Sequence, residues 1–205
     1  MTPGRGRPRS FDRDEALERA MVLFWERGYD AVGTRDLAEA MGIVAPSLYN
    51  AFTSKQALFE EAVEAYAQRY GGYIEESLGG GADARRAVTA LLSGAARQQT
   101  LPDRPAGCLI INGAINHSPA AAEVAEGLRA RRAHVAALVE RKIQADVDEG
   151  RLPRHVDAGH LATYVVLVWQ GLSLSARDGA TRDDLEAAVR TAMNAWPHPD
   201  QPGQD

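Results

Sequence analysis

The stretch from Thr34 to Phe52 is the tightest constraint in this 205-residue chain. Gly42 and Pro46 leave room there for only two helices of about two turns each. Helices that short are marginal alone, because nucleation costs more than a few extra hydrogen bonds return. They have to share a core. Leu37, Met41, Ile43 and Leu48 have the spacing to close one, Ala38 is small where the second helix approaches, and Gly42 supplies the turn. The pattern reads as a helix-turn-helix. Its second helix has more polar tips than a core helix needs. In such a pair that helix lies in the DNA major groove, with its early residues on base edges. Ala45, Ser47, Tyr49 and Asn50 are therefore the candidates to face DNA, while Leu48 and Phe52 face inward. Thr34 and Lys55 open the flanking helices, where N-terminal amides favour phosphate. Arg35 has the reach for a base or the backbone. Read as an ordinary helical hairpin, capping accounts for Thr34, Pro46 and Ser54, but not for Tyr49 and Asn50 beside Lys55.

The rest of the chain predicts helix as well. Period-two alternation is rare, and Ala-rich stretches with helical spacing recur. Asp12 with Glu15 starts a first helix that Gly28 ends. Ser54 caps a long helix running from Lys55 towards Leu78, stopped by Gly79-Gly80-Gly81. Asp83 opens another to about Gln99. GCLIINGAIN follows as a shorter helix, and Ser118-Pro119 begins a long one that ends at Gly150. Asp157 and Thr181 start the last two. The expectation is an all-α chain: a flexible basic arm over 1–10, a three-helix reader over 11–55, a larger helical bundle over 56–196 and a loose tail over 197–205.

The net charge of -5 argues against a polyanion partner until its distribution is considered. Residues 1–56 hold eight basic and eight acidic residues, so the remainder, with 15 and 20, carries the whole deficit. Arg5, Arg7 and Arg9 lie in the first nine residues with no acid. Contact with nucleic acid belongs at this end. No apolar run is long enough to span a membrane, and no signal peptide is apparent. The single cysteine, Cys108, fits a reducing compartment, so a cytoplasmic protein without membrane partners is expected.

With those residues in place, the segment from Phe11 to Tyr66 resembles the N-terminal domain of TetR-type transcriptional regulators. The resemblance rests on Gly28-Tyr29, Thr34, Leu37-Ala38, Met41-Gly42, Leu48-Tyr49 and the F-x-S-K of Phe52 to Lys55. It implies an all-helical homodimer, joined through its last two helices, whose C-terminal domain binds a small molecule and releases a palindromic operator. It also implies that Thr34, Tyr49 and Lys55 contact phosphate, with Arg35, Ala45, Ser47 and Asn50 at or near base edges. Val44 departs from the pattern, standing where the family often has Ser, Thr or an acidic residue.

Beyond residue 66 only the layout matches. Val166, Leu167, Leu174, Ala188, Val189 and Ala192 suit a helix-helix interface and equally suit core. Tyr66, Leu91, Cys108, Ile111, Asn112, Ile115, His134, Leu138 and Trp169 fall on apolar stripes of different helices and are the expected lining of an effector pocket. Asn112 and Asn116, four apart on one predicted helix, point one way, either to a neighbouring helix or into that pocket. Cys108 reads as a buried thiol rather than a redox sensor, and the run Arg129, Arg131, Arg132 as a solvated face. His155 and His160 are five apart, the wrong spacing for a metal pair on one helix face. No nucleophile–base pair, metal set or phosphate loop appears, so neither catalysis nor a cofactor is expected. A helical small-molecule enzyme and a protein-binding adaptor are the alternatives.

Overall fold

Side-chain caps set five of the ten α-helix starts among the described residues. In the computed structural model, which describes residues 11–197, Asp12 Oδ1 accepts from the amides of Asp14 and Glu15 at 2.9 and 3.1 Å. It opens α1 (Arg13–Arg27), and Gly28 closes that helix with φ 78°. The arm read over 1–10, with its three arginines, lies outside the described residues, as does the tail beyond Pro197.

Next comes α2 (Thr34–Met41), whose cap is Gly33 rather than the expected Thr34. The Gly33 amide donates to Asp36 Oδ2 at 2.7 Å, which makes Thr34 the first helical residue. Gly42 ends α2 in the left-handed region. The third helix, α3 (Ala45–Ala51), starts from an extended Val44 with Pro46 in its first turn. Ser54 Oγ accepts the Ala57 amide at 3.0 Å and starts α4 (Lys55–Tyr70).

The helix expected to run from Lys55 to Leu78 is two helices. It breaks at Gly71-Gly72, and α5 (Gly72–Leu78) follows. A Cβ on Gly71 would lie 2.5 Å from the Ala67 carbonyl oxygen, so the break needs glycine there. After α6 (Ala84–Gln98), the expected GCLIINGAIN helix shrinks to α7 (Leu109–Asn112). Tertiary contacts claim its continuation. The Gly113 carbonyl accepts the Tyr29 amide at 2.8 Å, and Ser118 Oγ donates to Asp30 Oδ1 at 3.1 Å. Asn116 is therefore exposed on a bend instead of sharing a helix face with Asn112.

A 3-10 turn (Pro119–Ala121) leads into α8 (Ala122–Asp148), then α9 (Ala158–Arg177) and α10 (Arg182–Asn194). Asp157 caps α9 and a Thr181–Asp184 capping box starts α10. The described residues contain no strand, as an all-α fold requires. No helix among them is long and apolar enough to cross a membrane.

Helix α1 packs on α2 and α4, where Phe24 meets Phe59 edge-on at 5.0 Å. Helix α8 packs along α9, and α6 fits between α5, α9 and α10. That last contact corrects part of the interface expected from sequence. Val189 and Ala192 turn into their own chain, at 2% and 9% exposure, whereas Leu167 and Leu174 on α9 stand open at 64% and 52%.

Asp146 is buried, and its carboxylate ties the bundle together. Oδ2 accepts the Ala84 amide at the start of α6 at 2.7 Å, and Oδ1 accepts Arg151 Nη2 and Nε at 2.6 and 2.9 Å. Removing it takes a charged acceptor from the start of α6 and leaves the buried Ala84 amide unpaired. Asp146→Ala should lower stability by about 2–3 kcal/mol, read as a lower urea midpoint at unchanged m-value.

Candidate nucleic-acid interface and ligand cavity

The inner face of α3 is sealed. Leu48 is fully buried, and Phe52 lies beneath the Arg13 guanidinium at 4.3 Å from its ring centroid. Arg13 in turn pairs with Glu61 of α4 at 2.6 Å. Leu37 and Met41 of α2 are buried and Ile43 partly so, closing the small core expected from the sequence. This fixes which side of α3 faces out. Ala45, Tyr49 and Asn50 are exposed and Ser47 is half-buried. Tyr49 keeps about half of its surface open although it is a large aromatic residue.

Val44 joins the same outer surface at 66% exposure, directly before the helix. It was not among the site residues expected from sequence. The available signal was an apolar β-branched residue in a capping position, where it makes no side-chain cap.

At the flanks, Thr34 is half-buried and Arg35 exposed. The Lys55 ammonium lies 4.1 Å over the Tyr29 ring. Burial lowers its proton affinity, while Asp30 and Asp36 act in the opposite direction. In this arrangement the Lys55 side chain rests on Tyr29, and Ser54 Oγ takes the Ala57 amide at the start of α4.

The reader is joined to the bundle at the end of α1. Trp25 Nε1 donates to the Gly107 carbonyl at 3.2 Å, and Arg177 Nη2 of α9 donates to the Glu26 carbonyl at 2.7 Å. With the contacts of Tyr29 and Asp30, these attach the α1 terminus both to the segment around α7 and to α9.

Behind that junction lies a cavity of about 760 Å³ between α4, α5, α8 and α9. Five residues expected in a pocket line it: Tyr66, Cys108, His134, Leu138 and Trp169. Tyr73 joins them and accepts from Trp169 Nε1 at 3.1 Å. The sequence missed Tyr73 because the break at Gly71 changes which face of α5 turns inward. Burial raises the pKa of both Tyr66 and Tyr73, so both phenols stay neutral donors. Burial also raises the Cys108 thiol, although the Tyr66 hydroxyl and the amides of Ile110 and Ile111 act against that. The remaining expected residues go elsewhere. Leu91 is core at 1% exposure, while Ile111, Asn112 and Ile115 line a separate groove. Ile115 leaves the inward stripe because α7 ends before reaching it.

A sequence profile for bacterial regulatory proteins of the tetR family matches residues 16–62, and one for tetracyclin repressor-like C-terminal domains matches residues 84–196. The HTH-type transcriptional repressor ComR of Escherichia coli is 37% identical over 94% of this chain and 92% of its own length. This chain belongs to the TetR family. BdcR, another HTH-type transcriptional repressor of E. coli, is 29% identical over 93% of the chain and 91% of its own. Among solved structures, the TetR family transcriptional regulator CifR superposes with a TM-score of 0.88 at 40% identity. The match covers 94% of this chain and all of that one, which is a cysteine mutant complexed with 26 bp double-strand operator DNA. As a TetR-family member the chain is a transcriptional regulator and not an enzyme.

Proposed function

We propose that this TetR-family regulator is a cytoplasmic homodimeric repressor. Two α3 helices read a palindromic operator, and a small, largely apolar effector in the α4–α5–α8–α9 cavity causes release. The reading divides the chain into a reader over 11–55 and a ligand-binding and dimerisation domain over 56–196. The observation that carries it is the asymmetry of α3: a sealed inner face, and an outer face whose large or polar side chains have no hydrogen-bond partner among the described residues. CifR, 40% identical to this chain, is complexed with operator DNA, which supports DNA as the partner.

In this reading Asn50 pairs with an adenine edge, and Val44 and Ala45 meet thymine methyl groups. Ser47 and Arg35 contribute at or near base edges. Tyr49, Thr34 and the start of α4 at Lys55 hold phosphates. Arg5, Arg7 and Arg9 follow the backbone or minor groove with little sequence preference. Tyr49→Ala should weaken all sites alike in gel-shift titrations. Asn50→Ala and Val44→Ser should each relax one base pair per half-site, worth about 1–3 kcal/mol of discrimination. A site-selection profile unchanged by Asn50→Ala would mean that α3 is not the reader.

Dimerisation through α9 and α10 is supported by the open stripe of Leu167, Gly171 and Leu174, at i, i+4 and i+7 on one face of α9. Ala188 on α10 is exposed as well. Leu167→Glu with Leu174→Glu should give a folded monomer in light scattering that no longer binds the operator, because one short reader selects poorly. Val189→Glu should instead unfold the chain, since Val189 is core.

Few charges line the cavity, and Arg131 there is neutralised by Glu64 at 2.9 Å. An aromatic or aliphatic effector held by one or two hydrogen bonds, from Tyr66 or His134 for example, suits it. Filling it shifts α4 against α1 and changes the separation of the two readers, so an effector that prefers the spread state by a few kcal/mol empties the operator. Linkage then requires operator DNA to weaken effector binding by the same factor. Titration of an effector with and without operator should show that equality. Identical affinities in the two titrations would separate the cavity from regulation.

A further inference from the structure

Three of the four arginines of α8, Arg129, Arg131 and Arg132, divide between two openings. Arg131 turns to the large cavity and its Glu64 partner. Arg129 and Arg132 turn to the groove of about 390 Å³ between the α7 segment, α8 and α9. The two openings share no lining residue. Ile111, Ile115 and Leu174 form apolar walls in the groove, and no carboxylate lines it.

Charge in this groove is poorly balanced. Arg129 pairs with Glu126, which does not line the groove. Among the described residues Arg132 has no carboxylate partner, and its Nη1 donates to the Ile110 carbonyl at 2.7 Å. Arg132 is half-buried, and its proton affinity is lowered first by burial and then by the like charge of Arg129. A guanidinium stays protonated even so. The groove therefore holds one half-buried cation without a carboxylate partner, Arg132, beside the ion-paired Arg129 and against apolar walls. At its inner end Asn112 Nδ2 donates to Ser173 Oγ at 3.0 Å, while the buried Asn112 Oδ1 has no partner. A cationic wall with apolar sides describes a ligand site rather than a solvated surface.

We propose that this groove is a second small-molecule site, distinct from the effector cavity, that takes an organic carboxylate with a compact apolar body. Arg132 and Arg129 hold the carboxylate, since the guanidinium fork matches its two oxygens. Ile111, Ile115 and Leu174 cover the body. The volume lies near the small end of the roughly 300–1,000 Å³ seen for ligand sites, which favours an acid of one or two rings. The occupant is a free small molecule and not a carboxylate of a second copy, although Gly171 and Leu174 of the lining also belong to the face proposed for pairing.

The test is calorimetric titration of the full-length protein with 1-naphthoate, 1-naphthylmethanol and inorganic sulfate. Naphthoate should occupy a site that depends on Arg129 and Arg132, and at that site the alcohol and sulfate should each bind at least tenfold more weakly; binding in the α4–α5–α8–α9 cavity is set apart by its insensitivity to those two substitutions. Arg132→Gln and Arg129→Gln should each weaken naphthoate at least tenfold, whereas Arg131→Gln should leave it unchanged. Because Arg132 also holds the Ile110 carbonyl, Arg129→Gln, at an exposed position, keeps the test valid if the Arg132 variant is unstable. Absence of naphthoate binding at millimolar concentration would overturn the proposal. So would equal binding of the alcohol, which would make the groove merely apolar, or equal binding of sulfate, which would make it a bare anion site. Dissociation of a dimer by the arginine substitutions without added anion would also overturn it, by showing that a partner's carboxylate fills the groove.

Discussion

The backbone contact between Gly28-Tyr29 and Gly113 is the point on which the rest of the molecule depends. Gly28 ends α1 with φ 78°, a conformation that costs little only without a Cβ. A Cβ there would also approach the Gly113 carbonyl oxygen to 3.2 Å. The turn presents the Tyr29 amide to that carbonyl at 2.8 Å, so main chain meets main chain with no flexible side chain between. Around it, Trp25, Glu26 and Asp30 reach the loop before α7, α9 and Ser118. The reader is thus anchored to the bundle through rigid groups.

The same contact explains why α7 is short and what lies on its two sides. By taking the Gly113 carbonyl, the end of α1 stops a helix that the sequence would extend. The truncated segment places Cys108 and Ile110 at the large cavity, and Ile111, Asn112 and Ile115 at the cationic groove. One short stretch therefore borders both openings and also bonds to the reader. A change in its position reaches α1 directly, in parallel with any movement of α4.

Packing of α8 completes this division. Helical spacing sends Arg131 one way and Arg129 and Arg132 the other, so adjacent residues serve different environments. Glu64 balances the first, while nothing in the groove lining balances Arg132. On α9, Trp169 turns to the cavity, and Leu167 and Leu174 turn outward.

Much of this was legible from sequence where local chemistry decides. The all-helical class, the caps at Asp12, Ser54, Asp83, Asp157 and Thr181, and the turn at Gly42 follow from side-chain and backbone rules that act within a few residues. The outer face of α3 was legible for the same reason: Leu48 and Phe52 fix the inner face by spacing alone. The two-helix break at Gly71, the early end of α7, the burial of Val189 and the split of the expected pocket between two openings were not. The last three depend on what a distant segment brings near, whereas the break at Gly71 is set by the Ala67 carbonyl four residues back. Gly113 stops α7 because Tyr29 claims its carbonyl, and Val189 is core because α6 lies against α10. Periodicity reports that a face is apolar. Only the folded chain decides whether that face meets its own core, a ligand or a second copy, since burial is a property of the neighbours and not of the residue.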